Sequence, residues 1–131
     1  MAKVIHSMVR VLDLDRSMRF YADALGMTES HRVEFPDFAL VYLRNADSEF
    51  EIELTLNKGQ TEAYSHGSGY GHIAAVVDNA QACHAELTAL GYHCAPVKEF
   101  KRGDELLARF FFIQDPDGYK IEMLERHGHY Q

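Results

Sequence analysis

The second half of this chain repeats the first, and that repeat limits the folds open to it more than any other feature. Near the start stands His6-Ser7-Met8-Val9-Arg10-Val11, followed by a helical segment ending in Ala24-Leu25-Gly26. The second half holds His72-Ile73-Ala74-Ala75-Val76-Val77, followed by a helical segment ending in Ala89-Leu90-Gly91. Each half closes on an Ile-Glu-apolar triplet, Ile52-Glu53-Leu54 and Ile121-Glu122-Met123. The landmarks recur in the same order with offsets of 66, 65 and 69 residues. One supersecondary unit is used twice.

Local patterns say what that unit is. Leu14, Met18, Tyr21 and Leu25 recur at helical spacing, as do Ala80, Cys83, Leu87 and Leu90. Asp15 and Asp78 are placed to cap the two helix N-termini. Gly26 and Gly91 stand where a left-handed C-terminal cap wants no Cβ. Strand-rich runs follow each helix, at 38–43, 50–56, 106–113 and 119–124, and Asp115-Pro116-Asp117-Gly118 marks a turn between the last two. The pattern predicts an α+β fold of strand, helix and three strands, repeated. Module one spans about 4–57, the polar linker 58–69 and module two 70–125, within a single domain over 1–131. A module of about 65 residues is marginal alone, so the two are expected to pack together or to trade partners in a dimer.

Composition narrows the partners. A formal net charge of −7 disfavours phosphate backbones and anionic lipid heads, so no nucleic acid or membrane partner is expected. No apolar run approaches the ~20 residues that span a bilayer. The residues from Met1 to His6 lack a signal-peptide apolar core, and Cys83 and Cys94 make no disulfide framework. Cytoplasm is the expected location.

Strand alternation then sorts the polar side chains. His6, Met8 and Arg10 share one strand face, with Val9 and Val11 on the other. Glu51, Glu53, Thr55 and Asn57 share a face opposite Ile52, Leu54 and Leu56. In the second half His72 faces away from Ile73, and Glu122 away from Ile121 and Met123. The repeat maps His onto His and Glu onto Glu, so a pseudo-two-fold relation predicts that His6, Glu53, His72 and Glu122 converge. Two imidazoles and two carboxylates suit nickel, cobalt, zinc, iron or manganese, and leave two octahedral positions for adjacent oxygens of a substrate. His31, His66, His84 and His93 gain nothing from the repeat and read as surface residues, His127 and His129 as a terminal tail, and Cys83 as core.

These residues resemble a known family. His6 to Val11, the helix over Asp15 to Tyr21, Leu25-Gly26-Met27, Glu53-Leu54-Thr55, Tyr70-Gly71-His72-Ile73-Ala74 and Asp115 to Glu122 together resemble glyoxalase I (lactoylglutathione lyase) of the vicinal oxygen chelate superfamily, over about 4–125. The resemblance implies paired βαβββ modules in a homodimer, each site drawing His6 and Glu53 from one subunit and His72 and Glu122 from the other. It implies isomerisation of the methylglyoxal–glutathione hemithioacetal to S-lactoylglutathione, with nickel or cobalt favoured over zinc. Arg10 and Asn57 match positions that contact glutathione, and Thr55 lies beside them. A chelating metal stabilises the enediolate by several kcal/mol, and a carboxylate shuttles the proton, worth ~100- to 10,000-fold. Glu122 is the chosen base and Glu53 its near-symmetric partner.

The chain also departs from the pattern. Lys58 follows Asn57 where the family commonly has Trp, and Ser68 stands where some members have a glutathione-binding Arg. The stretch 98–109 is not the usual Gly- and Lys-rich loop, and Glu99, Asp104 and Glu105 add negative charge where an anionic substrate is expected to dock. Another enediolate-forming isomerase, such as an epimerase of acyl-CoA thioesters, typically has Gln in place of Glu53. A ring-cleaving dioxygenase would use two His and one Glu around iron. A non-catalytic antibiotic-binding protein of the same fold would lack the full set.

Overall fold

The computed structural model describes residues 1–131 as two compact units, Met1–Ser65 and His66–Gln131. In unit 1 the order is β1 (His6–Val11), α1 (Leu14–Leu25), β2 (Thr28–Glu34), β3 (Phe38–Asn45) and β4 (Ser48–Asn57). In unit 2 it is β5 (Ile73–Val77), α2 (Ala80–Ala89), β6 (Lys98–Arg102), β7 (Glu105–Gln114) and β8 (Lys120–Glu125). Each is the βαβββ unit that the repeat predicts.

The sheets share one topology, β1-β4-β3-β2 and β5-β8-β7-β6. In each, the first strand runs parallel to the last and the remaining pairs are antiparallel hairpins. A parallel partner cannot be reached by a tight turn, so the helix and two strands form the crossover. The consequence for function is that His6 in β1, and His72 immediately before β5, lie beside the strands bearing Glu53 and Glu122.

Each unit has its own core. In unit 1 Phe20 and Tyr21 of α1 are wholly buried with Val11, Val41, Leu43 and Leu54. In unit 2 Leu87 of α2 is buried with Phe111, Ile113, Ile121 and Met123. Large apolar side chains buried so fully contribute about 1.5–3 kcal/mol each.

The helices correct three details of the sequence reading. The buried stripe of α1 is Ser17, Phe20 and Tyr21, whereas Leu14, Met18 and Leu25 are only half-buried. Leu90 lies outside α2 and is 61% exposed. The N-caps are Asp13 and Asn79, not Asp15 and Asp78: each has an extended backbone, and its side chain accepts from the N–H three residues on, Arg16 at 3.0 Å and Ala82 at 2.8 Å. Asp15 sits in the first turn of α1, where its charge still suits the helix dipole. Gly26 caps α1 with φ of +63°, and its N–H reaches back to the Ala22 carbonyl at 3.0 Å.

The Asp115–Gly118 turn is built from its own residues. Asp115 is buried and accepts from the N–H groups of Asp117 and Tyr119, both at 2.9 Å. Gly118 has φ of +90°, and a Cβ there would stand 3.4 Å from the His66 ring. The stretch 98–109 forms the β6–β7 hairpin rather than an open loop. Two of its acids are committed to ion pairs: Glu99 with Arg109 at 2.9 Å and Lys101 at 3.1 Å, and Glu105 with Arg102 at 2.9 Å. Arg109 first, and Lys101 after it, hold the Glu99 carboxyl below its ordinary range.

Candidate metal centre

In unit 1 the register sets Met8, Glu53 and Tyr42 in one row across β1, β4 and β3, with His6 one pleat back beside Glu51. His6, Met8 and Arg10 share the open face of β1, while Val11 turns into the core. His6 Nε2 stands 3.7 Å from Glu53 Oε2. Glu53 is buried, with 8% of its surface exposed, which is unusual for a carboxylate and demands partners. Its Oε1 accepts a 2.6 Å hydrogen bond from the Tyr42 hydroxyl. The same bond, with lesser help from burial, pushes the Tyr42 phenol up to about 12. The Tyr42 ring meets His6 edge-on at 5.7 Å between centroids and His31 at 5.8 Å.

In unit 2 the corresponding row is Ala74, Glu122 and Phe112 across β5, β8 and β7. His72 Nε2 lies 2.9 Å from Glu122 Oε2, and Phe112 meets the His72 ring edge-on at 5.1 Å. A cleft of about 520 Å³ opens beside the pair, lined by His66, Tyr70, His72, His93, Phe112 and Tyr119 among others. His66 stacks on Tyr119 with centroids 4.2 Å apart and planes 7° from parallel. In unit 1 a depression of about 560 Å³ between Gly26, Thr28, Arg44 and Glu49 holds neither His6 nor Glu53.

Each unit thus presents one imidazole and one carboxylate with their tips together, and neither unit alone gathers three or more His, Cys, Asp or Glu donors. The donor chemistry fits a divalent cation. Two ligands about 2.1 Å from one metal are roughly 3.0 Å apart when adjacent on an octahedron and about 3.4 Å on a tetrahedron. The observed 2.9 and 3.7 Å bracket those bites.

The remaining predicted residues take these places. Thr55 pairs with Arg10 in β1 and Leu40 in β3, one pleat from Glu53. Asn57 ends β4 and donates to the Tyr64 hydroxyl at 3.1 Å. Glu51 accepts from the Ser30 hydroxyl. Of the histidines read as surface, His31, His66 and His93 are exposed, yet His31 flanks Tyr42 and the other two line the unit 2 cleft. Cys83 and Cys94 are half-buried, and burial pushes both thiols up. Tyr42 and Phe112 were not singled out from sequence, because neither belongs to a motif. The usable signal was their place inside the strand-rich runs, once the register had set them opposite Glu53 and Glu122.

Residues 3–123 match the family described as the Glyoxalase/Bleomycin resistance protein/Dioxygenase superfamily. Lactoylglutathione lyase of Haemophilus influenzae is 41% identical over 128 residues, covering 94% of this chain and 92% of that one. The Neisseria meningitidis lactoylglutathione lyase is 36% identical over 129 residues, covering 95% and 91%. Among solved structures, trypanothione-dependent glyoxalase I of Leishmania major superposes with a TM-score of 0.77 at 34% identity, covering 95% of this chain and 87% of that one. Glyoxalase I from Zea mays gives 0.83 at 28% identity, with 96% of this chain but 45% of that one covered. Within the superfamily that the fold defines, the chain belongs to the lactoylglutathione lyase (glyoxalase I) family and is an enzyme of the lyase class.

Proposed function

We propose that the chain isomerises the hemithioacetal of methylglyoxal and glutathione to S-lactoylglutathione, and that His6, Glu53, His72 and Glu122 hold its metal. The duplicated His–Glu pair, at equivalent positions of both units, carries this reading. Two pairs complete one four-donor set when two chains associate as a homodimer, each site drawing His6 and Glu53 from one subunit and His72 and Glu122 from the other. The metal in this reading is nickel or cobalt, with zinc a weaker activator. It supplies Lewis-acid stabilisation of the negative charge that develops as the substrate C–H proton leaves.

The protein's own residues supply the rest. Glu122 takes the proton from one carbon and returns it to its neighbour. Its oxygen beside His72 (2.9 Å) leaves the other oxygen for that transfer. Arg10, Thr55 and Asn57 bind the polar tail of the thiol, remote from the reacting carbons. Ion pairing of Glu99 and Glu105 lessens the repulsion that an anionic tail would meet at the β6–β7 hairpin. The enzyme works in the cytoplasm, where such a thiol stays reduced. No helix is long and apolar enough to cross a membrane.

The experiment is elemental analysis of the purified protein, then turnover of methylglyoxal with glutathione under each divalent metal. The reading expects about one metal per chain and activity greatest with nickel or cobalt. Because the Leishmania relative is described as trypanothione-dependent, a second low-molecular-weight thiol is run in parallel. Activity with that thiol alone would reassign the co-substrate and keep the chemistry. A metal-free protein inactive with every metal and thiol would point instead to a binding protein of this fold.

A further inference from the structure

We propose that Tyr42 is a positioning residue that fixes Glu53 as a metal ligand, and so divides the labour between two carboxylates that the repeat alone would leave equal. The inference rests on the metal-site reading above. Tyr42 stands directly across from Glu53 in the β3–β4 register, and its hydroxyl donates to Oε1 at 2.6 Å. The other oxygen, Oε2, faces His6 Nε2 at 3.7 Å. The two oxygens of Glu53 are therefore already spoken for: one is held by the phenol, the other is turned toward the neighbouring imidazole. The phenol is itself held, with His6 edge-on to one side of its ring and His31 tilted against it.

The second unit lacks this restraint. Phe112 occupies the position across from Glu122 and packs edge-on against His72, with the ring retained and the hydroxyl gone. A ligand carboxylate gains from a short charge-assisted hydrogen bond on its distal oxygen, because the bond orients it before the metal arrives. A carboxylate that must carry a proton between two carbons needs freedom to turn. Glu53 has the first environment and Glu122 the second.

Tyr42→Phe removes only the hydroxyl and copies the unit 2 arrangement. The purified parent and variant are titrated with nickel(II) against a chromophoric chelator, and kcat and KM are measured with methylglyoxal plus glutathione at saturating nickel. The expected result is nickel affinity weakened about 10- to 100-fold, with KM within about twofold of the parent. A double-mutant cycle adds a readout that a merely structural role would not move. Tyr42→Phe should lose most of its effect on nickel affinity in a Glu53→Gln background and keep all of it in a Glu122→Gln background. Unchanged nickel affinity in a metal-binding parent, or the same loss in both backgrounds, overturns the inference alone. A parent that takes up no metal overturns it together with the reading on which it rests.

Discussion

The two units share a frame and differ in what they hang on it. Row by row, Met8, Glu53 and Tyr42 in unit 1 correspond to Ala74, Glu122 and Phe112 in unit 2. One pleat further on, Arg10, Thr55 and Leu40 correspond to Val76, Leu124 and Phe110. The His and Glu positions are kept, and almost everything around them has diverged. In these two rows unit 1 sets a guanidinium and hydroxyls beside its pair, and unit 2 sets aromatic and aliphatic side chains. Duplication supplies a symmetric set of donors. A substrate with a polar tail and a small carbon skeleton is not symmetric, and in the proposed site the divergence would give each end a different surface.

That comparison breaks first at the carboxylates. Glu122→Gln keeps one oxygen able to coordinate but cannot accept a C–H proton, so kcat at saturating metal should fall at least ~100-fold while much of the metal is retained. Glu53→Gln should lose less kcat and more metal affinity. Metal content and kcat measured on the same preparations decide the matter: near-parental kcat in loaded Glu122→Gln would make Glu122 at most a ligand. A smaller effect tests the polar rim. Arg10→Ala should raise KM for the hemithioacetal about tenfold, the scale of a hydrogen bond to a charged group, with kcat nearly unchanged. An unchanged KM would mean that the polarity of unit 1 does not serve the thiol.

The smallest effect concerns stability and again separates the units. Glu125 of β8 accepts from the Ala80 N–H at 2.9 Å and from Arg109 at 2.7 Å, giving α2 a second cap beside Asn79. The equivalent position in unit 1 is Leu56. The Ala80 N–H first, and Arg109 after it, hold the Glu125 carboxyl below its ordinary value. A depressed folded value means that the stabilisation is complete above the unfolded carboxylate range and is lost as pH falls through the folded one. Glu125→Gln should therefore cost about 1 kcal/mol, or about 4 °C in Tm, at neutral pH. The gap to the parent should close in acid. Thermal melts across pH check it, and a gap constant with pH would assign the loss to packing.

Much of this was legible in the residue order because repetition is a long-range signal: it located both βαβββ units and the His–Glu pair of each without any contact being known. Strand alternation then put His6 with Arg10 and Glu53 with Thr55 on shared faces, as the registers bear out. What escaped was set by registers and packing. Tyr42 reaches Glu53 only because β3 pairs with β4 at that offset, an alignment that no motif announces. Asp13 outcompetes Asp15 as cap because the chain turns helical one residue before Asp15, which helix periodicity locates only to within a residue or two. Leu90 fits the helical spacing yet lies outside α2, with Gly91 at φ of +92° following it.

The central claim is that each unit carries half of one metal site and that two chains complete it, and complementation tests it most directly. His6→Ala damages only the unit 1 half and His72→Ala only the unit 2 half, so each variant alone should bind little metal and turn over little substrate. When the two are mixed, unfolded and refolded together, half the dimers should contain one chain of each kind. In such a dimer one site collects both defects and the other collects none. The account predicts that about one quarter of the sites recover, seen as about one quarter of parental metal content and turnover. A mixture as inactive and metal-poor as its components would contradict it, and would place the site within a single chain.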